Sequence, residues 1–392
     1  MKRLLIILSK NPFLIIKIII LNFKVLFLKR KGIKTLVYNM HYDYLFCTFE
    51  SLYKLLAKNS NIRIFISYKN DIKLKKHLQN LDLGIRLINN TISPFINFDL
   101  FITAEITGPD FPMNGLSTKK LEIYHGTGIY NLYDELPVLR RFDIHFAIGK
   151  QYQPEFFEKT GLINNSRVYE VGYPKTDAIV KNEYDNESLY KQYNIKGKPI
   201  ILYAPHWNEF SSIHALGSKI ISKLSTLNVN IIVKVHNYIF TQYPEAKWEE
   251  RLRSWEKEFE NVHIMRDPDT QSYFNISDMI ITDVGTTAAL EYSLIKKPLF
   301  IYKDMNWFKG KDGIQPETDI VKVAITFIQT EEIFDLVDRL LFRKDKEIEN
   351  MISKQKIAQQ KLAGKYFFNI GTASKVGYEA IIKELGIYEQ TE

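Results

Sequence analysis

Two rounds of alternating strand and helix, separated by a polar break, predict an α/β protein. Its architecture would be two doubly wound, Rossmann-type domains facing a cleft, preceded by an amphipathic N-terminal helix. Three observations carry that prediction. Short apolar runs bounded by turn residues recur at 35–38, 62–67, 98–103, 121–124 and 144–148, with helical stretches such as 44–56 between some of them. A second set recurs at 199–203, 230–235, 262–265, 278–282 and 299–302. Such alternation implies mostly parallel sheets flanked by helices. Between the two sets, residues 171–198 become polar, Asn-rich and charged, which reads as an interdomain linker. The expected division is 1–33 for the helix, 34–185 for the first domain and 186–392 for the second, with a last helix over 372–385 crossing back onto the first.

The bulk properties fit that picture. A chain of 392 residues has room for two domains, and 45% hydrophobic with 13% aromatic residues exclude a disordered chain. The single cysteine, Cys47, excludes an internal disulfide and a cysteine-rich metal site, and it fits a reducing compartment. A formal charge of +8 and a pI near 9.1 favour anionic partners: a membrane surface, nucleic acid or phosphorylated substrates. No helix-turn-helix, zinc-finger or RNA-binding signature is present, so no nucleic-acid partner is expected.

At the N-terminus, Arg3, Lys10, Lys17, Lys24 and Lys31 stand seven apart in an otherwise apolar stretch, which on a helix keeps them on one slowly drifting stripe. Asn11 as N-cap and Pro12 at the first helical position predict a helix over 12–30. Its uncharged runs fall short of the roughly 18–20 residues of a spanning helix. A cationic stripe on an apolar helix suits an anionic membrane surface, here the cytoplasmic face of the cell membrane with the protein held peripherally. The same helix docked on the protein's own core is the rival. A signal peptide fits less well, because no small-residue cleavage site follows and lysines break the apolar core.

In the second domain, residues 277–302 parse as a strand, the turn Asp283-Val284-Gly285, a helix opening on Thr286 and Thr287, and another strand. Small residues, hydroxyls and backbone N–H groups at a helix N-terminus suit a diphosphate, and Glu291 on the same helix would suit ribose hydroxyls. Asp283 and Thr286 as plain N-caps, with Glu291 as a solvated helix residue, is an equally open reading.

Three further strand ends carry polar groups. His125 ends a strand and enters a turn with Gly126 and Gly128, where an imidazole can take a proton near neutral pH. His236 ends another strand with Lys234 two residues before it, placed to donate to a diphosphate or to protonate a leaving group. Pro205 stops a third strand and projects His206, Trp207 and Asn208, of which His206 and Asn208 are candidate donor contacts. Each of these residues also has a structural reading. His77, His145, His214 and His263 are read as structural, His41 and Asp43 as acceptor-side candidates, and Glu105 and Asp110 as scattered acids.

Together these pieces resemble the CDP-glycerol glycerophosphotransferase family, teichoic-acid primases and polymerases of GT-B-like fold. His125-Gly126-Thr127 matches its HGT turn, Gly172 to Asp177 its G-x-P-x-x-D stretch, and Lys234-Val235-His236 its K-x-H-P stretch with Asn237 replacing the proline. Ala204 to Asn208 follows an A-P-T-W-R-like loop in part, losing the arginine at Asn208. Residues 277–298 follow an S-D-x-x-I-T-D-Y-S-S stretch with Val284-Gly285-Thr286-Thr287 in place of Tyr-Ser-Ser, and 369–373 loosely echo D-G-x-A. The resemblance implies transfer of an alditol phosphate from a CDP-alditol, or another nucleotide-activated donor, to a lipid-linked glycan acceptor. His125 would be the base and His236 a catalytic partner. Gly126, Thr127, His206, Asn208, Lys234, Asp283, Gly285, Thr286, Thr287 and Glu291 would bind the donor. No cofactor is implied, and metal use stays open. A GT-B glycosyltransferase using a nucleotide sugar, favoured by the changed 206–208 loop, and a non-catalytic membrane scaffold are the alternatives.

Overall fold

The computed structural model describes residues 11–40, 42, 45–68, 78, 84–105, 119–126, 132–149, 153–195, 197–266, 269–304, 306 and 315–387. They form two compact units, one holding the chain up to Asp177 and again from Phe367, the other Ala178–Tyr366.

The first unit is built on a parallel sheet of β1 (Lys34–Met40), β2 (Ile62–Tyr68), β3 (Arg86–Asn89), β4 (Leu100–Thr103), β5 (Lys119–Glu122), β6 (Ile144–Ala147) and β7 (Arg167–Glu170), in the order β3-β2-β1-β4-β5-β6-β7. The order reverses between β1 and β4, the switch point where such sheets open for ligands. The two-residue period of β1 sends Leu36, Tyr38 and Met40 to one face and Val37 to the other. On the first face they meet helix α2 (Phe46–Lys58) and the last helix, Ala373–Leu385. On the second face Val37, Phe65, Phe98 and Phe101 pack on Val25 of helix α1 (Pro12–Arg30). Pro12 opens α1 as expected, but the Asn11 side chain makes no capping bond.

The second unit repeats the plan with β8 (Ile200–Ala204), β9 (Asn230–Val233), β10 (Val262–Ile264), β11 (Met279–Asp283), β12 (Leu299–Tyr302) and β13 (Ile325–Phe327), ordered β10-β9-β8-β11-β12-β13 and parallel. Its switch point lies between β8 and β11, where Ala204 pairs with Thr282.

Three strands were not anticipated: β3, β7 and β13 lie at sheet edges. Edge strands need no continuous apolar run, as the exposed Arg167 and Glu170 of β7 show. The polar stretch after Val171 holds the division between the two units, at Asp177 and Ala178. It folds into the short helices Asp177–Lys181 and Asn186–Gln192.

The G-x-P-x-x-D stretch has a structural job in the first unit. Gly172 sits at φ +91, and a Cβ there would stand 2.2 Å from the Phe368 carbonyl oxygen. The Asp177 carboxylate accepts the N–H groups of Ala373 (3.1 Å) and Ser374 (2.7 Å) and the Ser374 hydroxyl (2.6 Å), so it caps the last helix from elsewhere in the chain. At the other end of that helix, Glu384 is clamped by Lys119, Arg167 and Tyr169, which hold its carboxyl at about 2 despite its burial.

Candidate functional site

In the first unit, β5 ends at Glu122, whose carboxylate accepts the Tyr124 N–H (2.9 Å). Tyr124 then adopts φ +54, a left-handed conformation that costs a bulky L-residue about 1–3 kcal/mol. The bend delivers His125. Its Nδ1 lies 2.7 Å from the Ala104 carbonyl oxygen, just past the end of β4, and its own carbonyl accepts the Tyr173 hydroxyl (2.8 Å). Only an N–H can bond a carbonyl, so Nδ1 carries the proton and Nε2 is the basic nitrogen. Burial pushes the imidazole below its ordinary value; the Ala104 bond and Glu105 raise it, and Lys175 lowers it again. Gly126 is buried beside it, and Thr127 lies outside the described residues. Lys175 and Glu105 are the neighbours whose charges reach His125. Lys175 was not among the expected site residues, because in the sequence it reads as an ordinary loop lysine.

In the second unit the expected residues gather on both sides of the β8/β11 switch point, but several do other work than expected. The Asp283 carboxylate is buried and accepts the N–H groups of His206 (2.6 Å) and Ser212 (3.0 Å). It therefore ties the 205–211 loop to the end of β11 and is engaged inside the unit rather than held out to a donor. Burial pushes its carboxyl up to about 7 against the pull of those two donors. Gly285 follows at φ +87, a turn that favours glycine.

Thr286 occupies the N-cap position of helix α3 (Thr287–Tyr292) without capping it. Its hydroxyl bonds Thr282 (2.9 Å) and the Asp283 carbonyl (3.3 Å) instead, leaving Thr287, half-buried, to open the helix. At six residues the helix is short and carries only a weak dipole. Glu291 is buried with its carboxylate 2.5 Å from the Gln271 amide, so neither the solvated reading nor an outward ribose contact describes it. Lys234 is likewise buried.

The imidazoles differ from His125. The Nδ1 of His206 accepts the Asn208 N–H (3.1 Å), and the Nδ1 of the exposed His236 accepts the Tyr238 N–H (3.1 Å). A ring nitrogen that accepts a backbone N–H holds no proton, so each neutral ring is an Nε2–H donor. Trp207 stacks on His206 (5.3 Å, 27°), and Tyr238 stands edge-on to both Trp207 (5.7 Å) and His236 (4.9 Å), which steadies the two rings. The Asn208 side-chain oxygen points inward, buried and without a partner among the described residues. His145 is buried among Tyr124, Phe142 and Phe157 and pushed down to about 4, as a core histidine is. Among the described residues no group of three histidine, cysteine or acidic side chains is arranged to hold a metal.

The chain is similar in sequence and in fold to characterised proteins. A family described as CDP-Glycerol:Poly(glycerophosphate) glycerophosphotransferase matches residues 119–318. A Staphylococcus epidermidis teichoic acid poly(glycerol phosphate) polymerase is 23% identical over 212 residues, 46% of this chain but only 28% of that protein's length. Among solved structures, the wall teichoic acid polymerase TagF with CDPG aligns over 91% of this chain and 90% of its own, at a TM-score of 0.64 and 16% identity. An S. aureus MnaA–UDP structure reaches 0.61 at 16% identity, over 92% of this chain and 99% of its own. A Neisseria meningitidis UDP-GlcNAc 2-epimerase bound to UDP-GlcNAc reaches 0.59 at 16% identity, over 89% and 100%. At such identities the structural likeness is one of fold, GT-B-like in each case.

Proposed function

The chain belongs to the CDP-glycerol:poly(glycerophosphate) glycerophosphotransferase family, and on that premise we propose that it transfers glycerol phosphate, or a related alditol phosphate, from a CDP-activated donor. The acceptor is a hydroxyl of a lipid-linked teichoic-acid or capsule glycan, and CMP is released. The acceptor oxygen forms its bond to the β-phosphorus as the bond from that phosphorus to the CMP oxygen breaks. The hydroxyl proton passes to Nε2 of His125. His236 and His206 supply Nε2–H donors to the phosphate oxygens, whose negative charge grows on the departing CMP. Asp283 keeps His206 in place. The observation that supports this reading is the Nδ1 bond of His125 to Ala104, because it fixes the Nδ1–H form of the neutral ring and makes Nε2 the basic nitrogen. The names of the polymerase relative and of TagF with CDPG support the donor class.

A thermal-shift comparison of CDP-glycerol, CDP-ribitol, CMP, UDP-sugars and GDP-sugars tests the donor. A ligand at about a thousandfold its Kd adds roughly 4 kcal/mol to stability. Stabilisation by cytidine nucleotides, together with CMP release in the presence of a glycan acceptor, is the expected result. Stabilisation by a nucleotide sugar alone would replace the proposal with glycosyl transfer, the reading that the lost arginine at Asn208 favours.

A further inference from the structure

One peptide group of the second unit stands between two histidines. The Trp207 carbonyl and the Asn208 N–H belong to the same planar amide. The carbonyl lies 3.2 Å from Nε2 of His214, and the N–H donates to Nδ1 of His206 at 3.1 Å. A carbonyl only accepts, so Nε2 of His214 carries a proton, and a ring nitrogen that accepts an N–H carries none. The hydrogens therefore all point one way, from the His214 ring through the amide to the His206 ring, and bonds in such a chain polarise one another.

Both ends of that chain are held. His214 stands on the short helix Ser212–Ala215, its ring edge-on to Tyr243 (4.6 Å) and Trp248 (5.1 Å). Burial pushes its imidazole below the ordinary value, aided by Arg251 and opposed by the Trp207 bond, Glu209 and Glu245, so the ring that donates at neutral pH is the neutral one. At the other end the His206 N–H is fixed by Asp283 (2.6 Å), and its ring is stacked on Trp207. The Tyr243 hydroxyl donates to the Glu209 carboxylate (2.9 Å) and the Ser211 hydroxyl to the Asn208 carbonyl (2.7 Å), which ties down the rest of the loop. His206 and Asn208, which the amide joins, are also the two positions at which this loop departs from the A-P-T-W-R-like pattern.

We propose that His214 is a positioning residue for the donor side. By holding the Trp207–Asn208 amide it keeps Nδ1 of His206 without a proton, so that Nε2–H is the group His206 presents to the donor's phosphates. Once that bond is lost the amide can tilt, His206 gains its other tautomer, and a lone pair takes the place of the N–H at Nε2. The role in transfer rests on the reading of His206 as a donor contact; the tautomer does not.

Ring-nitrogen NMR of the full chain carrying isotope-labelled histidine tests it, with the His206 signals assigned through His206→Gln. Wild-type His206 is expected to show a proton on Nε2 and none on Nδ1. His214→Phe keeps an aromatic ring against Tyr243 and Trp248 but loses the donor, and should bring the two nitrogens of His206 toward averaged values. His214→Gln keeps an N–H donor and should hold the wild-type pattern. In turnover, His214→Phe should lower kcat/KM for CDP-glycerol by about three- to tenfold, the net worth of one hydrogen bond, and His214→Gln should recover most of it. In a His206→Ala background the same change should cost less than about twofold, because His214 acts through His206. His214→Leu repeats each measurement with a smaller side chain should the phenylalanine disturb the fold. A wild-type His206 protonated on Nδ1, a His206 signal unchanged in both donorless variants, or equal losses in the two backgrounds would overturn the proposal. Loss of the tautomer without turnover on any CDP-alditol would keep the hold of His214 on His206 and overturn transfer from that donor instead.

Discussion

His125 and His236 occupy equivalent places, each just past the carboxyl end of a parallel strand, yet the backbone sets them in opposite protonation patterns. His125 meets a carbonyl through Nδ1 and is left with a basic Nε2, while His236 meets a backbone N–H through Nδ1 and is left with an Nε2 donor. His206 repeats the donor pattern. The first is partly buried with its basicity held down, and His236 is exposed beside Tyr238. A position at a strand end therefore says that a histidine can act. Its Nδ1 partner says whether it takes a proton or gives one.

The largest effect that separates the two follows from removing the proposed base. His125→Ala is expected to lower kcat by about 10²–10⁴-fold with little change in donor affinity. His125→Gln should do no better, because an amide cannot accept and hold the acceptor proton. Single-turnover release of CMP, with CDP-glycerol binding measured beside it, checks both. A loss confined to binding would remove His125 from the chemistry.

Next in size is Asp283, which holds the proposed donor contact His206 in place. Asp283→Ala leaves two backbone N–H groups without their acceptor, a cost of about 2–4 kcal/mol. Its carboxyl titrates near 7 when folded against an ordinary 3.8, so its contribution is full below about pH 4 and is lost as pH rises through 7, about 4 kcal/mol over that window. Urea midpoints of the wild type across that range should fall with pH, and those of Asp283→Asn should not fall through this group. A flat wild-type profile would show that the two N–H donors outweigh burial.

How much of this was legible depends on what each residue type reveals before burial is known. The strand-turn-helix of 277–302 was, because apolar runs, the glycine and the hydroxyls each constrain the backbone, and Gly285 takes the positive φ that the turn requires. The work of Asp283 and Glu291 was not, because a carboxylate in a turn or on a helix looks alike whether it faces a ligand or a buried amide. The same holds for Gly172 and Asp177. Their partners, Phe368, Ala373 and Ser374, stand some two hundred residues away, and only the fold brings them together. The two histidine patterns rest on main-chain partners, Ala104 and Tyr238, that carry no side-chain signal at all. Helix α1 is the opposite case: the lysine spacing and Pro12 marked its register and start, and the structure adds which side is covered.

A smaller effect tests the donor pattern. His236→Ala would remove the proposed hydrogen bond to charged phosphate and should weaken donor binding or turnover by about tenfold to a hundredfold, the 1.5–3 kcal/mol such bonds contribute. His236→Asn keeps an N–H donor and should recover part of it, which His125→Asn should not do for the base. Equal recovery at both positions would erase the distinction between the two imidazoles.

The smallest effect is a displacement along the pH axis. With His125 as the proposed base, its neutral form is the active one, so activity should fall on the acid side as the ring protonates. Because burial holds the ring below 6.5, the acid limb of kcat/KM should be centred below that value. Lys175 disfavours the imidazolium by its charge, so Lys175→Met should move the limb upward. Glu105 favours the imidazolium, so Glu105→Gln should move it downward. Opposite displacements from two neighbours, with the limb absent in His125→Ala, would assign that limb to His125 alone. Displacements of the same sign would assign it to a group on the donor.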